Sequence, residues 1–341
     1  MKKYLLFFLL AALQFSVKAQ SDKAPFMTKS LSNEAIKDVE VETSGGSISV
    51  SGVTANARVE VYITSNNNKE LTKEEIQQRL NEKYTLDVSV TNNKVTATAR
   101  LKEKMTDWKK ALNISFKVFV PRNVSTDLST SGGSISLNNL SGNLKFSTSG
   151  GSLDLDNVSG NVDGRTSGGS IDLRNSKDDI DLSTSGGSID AKNCEGKLRL
   201  STSGGSLDLK DLKGDIRATT SGGGIHGSDI EGELIAHTSG GSIHFSDLSC
   251  SLETSTSGGN IDVSIKELGK YIKISNSAGN IDITLPNKGL DLDLSASKIK
   301  TGQLSNFSGK VDEEEINGKL NGGGVPVRID AGSGKISLSL R

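Results

Sequence analysis

The stretch TSGGSIDLRNSKDDIDLSTSGGSIDAKNCEGKLRLSTSGGSLDL, from Thr166 to Leu209, contains nearly the same six letters three times, 18 residues apart. The phrase T-S-G-G-[SGN]-[IL] recurs with this spacing at Thr130, Thr148, Thr166, Thr184, Thr202, Thr220, Thr238 and Thr256. Equal intervals over so many copies indicate a repeat array. Outlying or degenerate copies start at Thr43, Asn276 and Ala331, so the array has atypical ends, as capped solenoids do.

Each repeat contains two short runs of alternating apolar residues, which predict two β-strands. In residues 135–152 the runs are Ile135/Leu137 and Leu144/Phe146, with glycine-bearing corners between them. Two strands and two corners close one coil, and the next coil lies about 4.8 Å further along the axis. We therefore predict an all-β fold, a right-handed parallel β-helix or solenoid of 18-residue coils. In this interpretation the paired glycines supply backbone angles that a β-carbon forbids.

Residues one repeat apart should stack, and the aligned positions are chemically alike. One aliphatic column is predicted to fill the core: Ile135, Leu153, Ile171, Ile189, Leu207, Ile225, Ile243 and Ile261. A second core column contains Leu144, Val162, Ile180, Leu198, Ile216, Leu234 and Leu252. One corner carries Asn139, Asn157, Asn175, Asn193, Asp211, Asp229 and Asp247. These residue types suit turns, and the asparagine side chains are expected to bond to one another along the stack.

Composition and charge agree with an exported solenoid. Hydrophobic residues make up 33% of the 341 residues, against roughly 45–50% in a globular domain. Lys2 and Lys3, the apolar run 4–13 and the small-residue pattern Val17-Lys18-Ala19 predict a signal peptide too short to span a membrane. Its cleavage removes three lysines and no acid, which lowers the formal charge from −1 to −4. This balance argues against nucleic acid as a partner.

The segments that flank the array predict caps. An amphipathic helix is expected over 71–83, opened by the capping sequence Thr72-Lys73-Glu74-Glu75 and surrounded by strand-like segments. We therefore expect four regions along the chain: a signal peptide (1–19), an N-terminal strand and cap region with an inserted helix (20–129), a regular β-solenoid (130–283) and irregular C-terminal coils with a cap (284–341).

Three stretches carry a resemblance to a known family. They are the TSGGSI and GNL coils, ISFKVFVPRNV at 114–124 and NGGGVPVRIDAGSGKISL at 321–338. Together they resemble the bacterial putative-adhesin family of unknown function, a relative of auto-transporter adhesin head domains, over roughly residues 39–341. The resemblance implies a right-handed parallel β-solenoid, no catalytic residues and no established ligand.

The outward position after the first core column forms a further column: Ser136, Asp154, Asp172, Asp190, Asp208, His226, His244 and Asp262. We call it the Asp/His column. Carboxylates stacked about 4.8 Å apart repel each neighbour by about 1 kcal/mol in water. Arg174, Lys192 and Lys210, two residues beyond three of these aspartates, are expected to offset the repulsion on a solvated face. Cation or glycan binding is the alternative use of this face.

A candidate metal site lies in the same column. His226 and His244 are expected on adjacent coils between Asp208 and Asp262, so two imidazoles and a carboxylate can bind one zinc, nickel or copper ion. We name His226, His244, Asp208 and Asp262 as its candidate ligands. His237 falls outside the column. The alternative interpretation is that histidine merely interrupts a run of repelling aspartates.

The two cysteines are not expected to form a disulfide. Cys194 and Cys250 are separated by about three coils, or roughly 14 Å along the axis, whereas a disulfide needs Cα atoms within about 7 Å. Cys194 falls in the corner column of Leu140 and Val158, where it is expected to be a small apolar plug.

The coils carry no cofactor motif. The Gly-Gly pairs are not followed by a helix with Lys-Ser/Thr, as a phosphate cradle requires, and the corners lack the third glycine and the aspartate of calcium-binding nonapeptide repeats.

We predict a non-catalytic adhesin or cell-envelope interaction module in the periplasm, at the cell surface or secreted, without a transmembrane anchor. Its expected partner is a protein or glycan of the envelope or surface. The alternatives are a periplasmic structural or signalling accessory protein and a glycan-active enzyme, although sugar-stacking aromatics are few and Trp108 belongs to the cap.

Overall fold

The repeats fold into the coils of a parallel β-solenoid. The computed structural model describes residues 24–66, 70–103 and 110–341; the predicted signal peptide and Trp108 lie outside these residues. As far as Thr256, strands one repeat apart pair in parallel without a register shift, so that Leu144 lies beside Val162 and Val162 beside Ile180. The all-β fold, the 18-residue coils and the cap of strands with one helix are confirmed.

The described residues contain the following elements. The N-terminal part has β1 (Met27–Ser30), β2 (Asp38–Thr43), β3 (Ile48–Gly52), β4 (Arg58–Ser65), α1 (Lys73–Lys83), β5 (Tyr84–Thr91), β6 (Lys94–Leu101) and β7 (Leu112–Val120). The array has β8 (Ser125–Thr130), β9 (Ile135–Asn138), β10 (Ser141–Thr148), β11 (Leu153–Asp156), β12 (Ser159–Thr166), β13 (Ile171–Arg174), β14 (Lys177–Thr184), β15 (Ile189–Thr202), β16 (Leu207–Thr219), β17 (Ile225–His237), β18 (Ile243–Thr256) and β19 (Ile261–Asn276). The C-terminal part has β20 (Ile281–Leu285), β21 (Leu290–Ser295), β22 (Lys298–Thr301), β23 (Phe307–Val311), β24 (Glu315–Leu320), β25 (Val325–Asp330) and β26 (Lys335–Leu340).

The two predicted aliphatic columns form the core. No member of the column that starts at Ile135 is more than 1% exposed, and no member of the column that starts at Leu144 is more than 2% exposed. The two core phenylalanines of the array, Phe146 and Phe245, each lie beside a glycine on an adjacent coil. Phe146 lies beside Gly164, where a Cβ would come within 2.2 Å of the phenyl ring. Because each buried Leu or Ile contributes about 1.5–3 kcal/mol, stability accumulates coil by coil.

The threonine of each TSGG phrase hydrogen-bonds within its own coil and to the preceding one. Thr202 is buried; its hydroxyl donates to the carbonyl oxygen of Gly187 (2.7 Å) and accepts from the amide N–H of Gly205 (3.2 Å). The same two bonds recur at Thr130, Thr148, Thr166, Thr184, Thr220, Thr238 and Thr256. Asn276 reproduces them with its amide, which explains why the degenerate phrase begins with asparagine.

The explanation of the paired glycines by backbone angle is wrong. No glycine of these pairs in the array has φ in the left-handed region. The second glycine is required because the coils approach closely: a Cβ there would lie 1.9–2.1 Å from the carbonyl oxygen of the equivalent glycine one coil earlier. At the first glycine no such neighbour lies closer than 3.5 Å.

Replacing Thr202 by valine should destabilise the protein more than replacing it by serine. Valine keeps the shape but leaves the Gly187 carbonyl and the Gly205 N–H without their bonds to the hydroxyl, at a cost of about 1–3 kcal/mol. Serine keeps the hydroxyl and loses one methyl group, at a cost of about 0.8 kcal/mol. Thermal and urea unfolding of both variants measure the difference. A Thr202→Val protein at least as stable as Thr202→Ser contradicts the bridging role.

Left-handed backbone occurs at the other corner. The predicted Asn/Asp column, from Asn139 to Asp247, has φ between 51° and 56° throughout, a region that these residue types tolerate better than most. The expected side-chain ladder is partly formed. Asn157 donates to Asn139 (3.0 Å) and Asn193 donates to Asn175 (2.7 Å). Asn175 donates instead to Asp156 (2.7 Å), which interrupts the ladder.

The N-terminal end is closed by strands that leave the first coil and return. Strands β2 and β3 form that coil, and the chain then runs through β4, α1 and β5 before β6 and β7 pair in parallel with β2 and β3 on the side away from the array. The antiparallel strands β4 and β5 complete the cap. The predicted capping box of α1 is present, because Thr72 and Glu75 exchange side-chain to backbone bonds of 2.9 and 3.2 Å.

At the C-terminal end, too, strands pair in an order that differs from their order in the sequence. Strands β25 and β26 pair in parallel with β19 and β20 on one side and with β21 and β22 on the other. The segment 325–340 therefore forms a coil between two coils that precede it in the sequence. Strands β24 and β23 then extend the sheet beyond β21 in antiparallel fashion.

Candidate functional site

The Asp/His column forms on the solvent side of the coils in the predicted register. Each member lies directly beside the next, from Ser136 and Asp154 to His244 and Asp262. The column lies on the strands that begin with the core Ile or Leu residues, one position after them, because side chains alternate between the two faces of a strand. An open groove of about 560 Å³ follows its middle part, lined by Asp172, Asp190, Asp208, His226 and His244 together with neighbouring side chains.

The charges beside the column are only partly paired. Arg174 forms an ion pair with Asp172, as expected. Within the described part of the chain, Lys192 and Lys210 lie in the adjacent outward column without an ion pair. Burial raises the pKa of Asp172, against the influence of Arg174. Burial, followed by the neighbouring carboxylates, also raises the pKa of Asp190.

Replacing Asp190 by asparagine should stabilise the protein at neutral pH. A carboxyl whose pKa is raised in the folded state binds protons more tightly there than in the unfolded chain, so its ionised form lowers stability above the folded pKa. The penalty disappears once pH falls below the ordinary value of 3.8. Since the side chain is exposed, the gain should be below about 1 kcal/mol. Melting curves of wild type and Asp190→Asn across this pH range test the sign; a gain that persists in acid contradicts it.

The four candidate metal ligands stand in one column but divide into two pairs. The Nδ1 atom of His226 lies 3.3 Å from Oδ1 of Asp208, and Nδ1 of His244 lies 3.2 Å from Oδ2 of Asp262. Both imidazoles are about half exposed, at 54% and 57%. Among the described residues, no group of three or more His, Cys, Asp or Glu side chains is placed to hold a metal ion. The four-ligand site stays a prediction.

His237 lies outside the Asp/His column, as predicted. It is near the end of β17 and pairs with Ser255 on the next coil, where its Nδ1 lies 2.8 Å from the serine hydroxyl. Burial lowers the pKa of this histidine. His237 is therefore a half-buried neutral residue away from the two other imidazoles.

Both cysteines are free and buried, which confirms the prediction that they form no disulfide. Cys194 lies beside Leu212 in the predicted apolar corner column. Burial raises the pKa of Cys194 to about 11 and that of Cys250 to about 12. Since the thiolate is the reactive form, neither side chain is a nucleophile at neutral pH.

Sequence reasoning missed one residue beside the histidines. Gly224 occupies a corner position that is serine in neighbouring coils, namely at Ser134, Ser152, Ser170, Ser188, Ser206 and Ser242. A Cβ at Gly224 would lie 3.4 Å from Cε1 and 3.7 Å from Nε2 of His226. The signal was the third glycine in TSGGGI, the phrase immediately before His226.

The fold defines a parallel β-solenoid protein, and comparisons with known proteins add little to this. No family model and no curated protein matches the chain. A structure of a putative cell adhesion protein from Clostridium sporogenes is 12% identical, covers 92% of this chain and 98% of its own, and has a TM-score of 0.21. A putative adhesin from Bacteroides fragilis is 11% identical, with coverages of 92% and 96% and a TM-score of 0.27. TM-scores this low carry no argument about function, and the family resemblance stays a prediction.

No helix within the described ranges has the length and apolar character needed to cross a membrane.

Proposed function

We propose that this protein is an exported, non-catalytic β-solenoid that binds a protein or glycan of the cell envelope or cell surface, as an adhesin does. The observation that carries the proposal is the in-register Asp/His column with its adjacent Arg/Lys column. An enzyme gathers different groups around one reacting bond, whereas these columns repeat the same groups about every 4.8 Å along one axis. Such a surface suits an extended partner that makes many similar contacts.

Repeated weak contacts are sufficient for binding of this kind. An exposed charge pair contributes only about 0–1 kcal/mol, so a single coil cannot hold a partner. When several coils bind the same partner, each later contact forms at a high effective concentration, and the overall affinity exceeds that of each contact. The proposal therefore expects affinity to fall as aspartates are removed one coil at a time.

Binding of the purified protein to isolated cell envelopes of the source organism tests the role of the column. Position 136 of the same column is already serine, so the Asp154→Ser/Asp172→Ser/Asp190→Ser variant should keep the fold. A matched control replaces Asp127, Asp163 and Asp181, which stand in another outward column, and changes the net charge equally. The first variant should lose binding and the control should retain it. Equal binding by both variants rejects the Asp/His column as the contact surface.

The compartment is tested separately by adding protease to intact cells. An adhesin on the surface is digested, whereas a periplasmic structural or signalling accessory is protected until the outer membrane is opened. Cleavage of a polysaccharide panel by the wild type, lost when Asp172 and Asp190 are replaced, favours the glycan-active enzyme instead.

A further inference from the structure

We propose that His226 and His244 form a surface site for one first-row transition-metal ion, bound through the Nε2 atoms of both rings. In this site Asp208 and Asp262 orient the imidazoles from outside and do not bind the ion. Water completes the coordination. The site lies within the Asp/His column, but the inference does not depend on the adhesive role proposed above.

The positions of the two carboxylates support this division of roles. His226 and His244 lie side by side on adjacent coils, and each has its aspartate on the side away from the other histidine. An ionised carboxylate only accepts hydrogen bonds, so its place beside Nδ1 favours the tautomer with hydrogen on Nδ1 and a lone pair on Nε2. Metal-binding histidines are oriented by carboxylates in this way. Two neighbouring rings thus offer the same nitrogen.

Gly224 leaves space beside one of these nitrogens. A serine in its place, as in most neighbouring coils, would bring a Cβ to 3.7 Å from Nε2 of His226 and a hydroxyl beyond it. The exception to the serine column therefore occurs where an ion and its water ligands need room.

The distribution of charge also favours a cation at this point. The outward column next to the Asp/His column carries Arg174, Lys192 and Lys210, and then changes to Ser228, Ser246 and Ser264. The positive charges end one coil before His226. An ion between the two histidines has the carboxylates of Asp208 and Asp262 on either side and no lysine or arginine in this column on its own coils.

The donor atoms select the metal. Imidazole nitrogen suits copper, nickel and zinc, and among divalent ions Cu²⁺ binds such sites most tightly. Magnesium and calcium prefer oxygen ligands and should not compete.

Calorimetric titration of the tag-free protein with Zn²⁺ and Cu²⁺ tests the site. We expect one equivalent with a micromolar dissociation constant, lost in the His226→Ala/His244→Ala double variant and retained in His237→Ala. Electron paramagnetic resonance of the Cu²⁺ complex should show two coupled nitrogens, and one in each single variant. Equal binding by wild type and the double variant, or no binding at millimolar zinc, overturns the proposal.

Two further variants separate orienting residues from ligands. The Asp208→Asn/Asp262→Asn protein should bind about 10–100-fold more weakly, while its Cu²⁺ spectrum still shows two nitrogens. Gly224→Ser should weaken binding while the metal-free protein stays folded, with some loss of stability because the new Cβ would also lie 3.0 Å from the carbonyl oxygen of Ser242. Full affinity in both variants contradicts the roles assigned to the carboxylates and to the glycine.

Discussion

Deleting Thr184 to Ser201 should leave a folded protein, whereas deleting Thr184 to Leu200 should not. The first deletion removes one complete coil and joins Ser183 to Thr202, so every later residue keeps its column. Ile171 then lies beside Leu207 in place of Ile189. The shorter deletion leaves one extra residue at the junction. Because side chains alternate along a strand, that residue turns the following core side chains outward.

One coil of the array contains two extra residues, which shows what kind of insertion the fold tolerates. The coil from Ile261 to Asn280 has two more residues than the others, and bulges between β18 and β19 absorb them. An even number preserves the alternation of side chains, so Ile272 and Ile274 remain buried. Circular dichroism and thermal unfolding compare the two deletions. Similar spectra and melting temperatures in both proteins would refute the register described here.

Gly205→Ala should be among the most damaging single substitutions in the chain, while Gly204→Ala should be nearly neutral. The new methyl at position 205 would lie 2.0 Å from the carbonyl oxygen of Gly187. Backbone cannot move aside as a flexible side chain does, so the coils must separate, and we expect a loss of at least about 3 kcal/mol, the upper end of overpacking costs. At position 204 the nearest such atom is 3.5 Å away, an ordinary contact, and the change should stay within about 0.5 kcal/mol.

The adjacent positions make this pair a matched control, because both substitutions add one methyl group to the same corner. Urea unfolding midpoints followed by circular dichroism give the comparison. Solenoids do not always unfold in one step, so midpoints are compared and not extrapolated free energies. If both variants have the midpoint of the wild type, close backbone approach is not the reason for the second glycine.

The core could be predicted from sequence because stacking gives every member of a column the same surroundings. The burial of an aliphatic column such as that of Ile135 can therefore be predicted from its residue types alone. The glycine pairs could not be interpreted in this way, since their requirement depends on the distance between the backbones of two coils. Phe146 and Gly164 lie in one column, but the residue types alone do not show that the phenyl ring occupies the space left by the glycine.

The candidate site, like the core, could be predicted only in part from the sequence. The column and the adjacency of His226 and His244 follow from the 18-residue period. The direction of each ring does not, because it depends on side-chain torsions and on the nearest carboxylate. The sequence therefore named His226, His244, Asp208 and Asp262 together as candidate ligands, and could not predict that each carboxylate lies beside Nδ1 of one imidazole. The 18-residue period also could not predict the spatial order of the strands at the two ends, since that order differs from their order in the chain.

The coil formed by 325–340 completes the backbone pairing of two coils that precede it in the sequence. This segment leaves the ribosome after both of its neighbours, the strands β19/β20 and β21/β22. Without it, the strand edges of these two coils would carry unpaired peptide groups, and such edges readily pair with other chains. A chain shortened at this end would expose them permanently. Segment 325–340 thus protects two strand edges at once against aggregation.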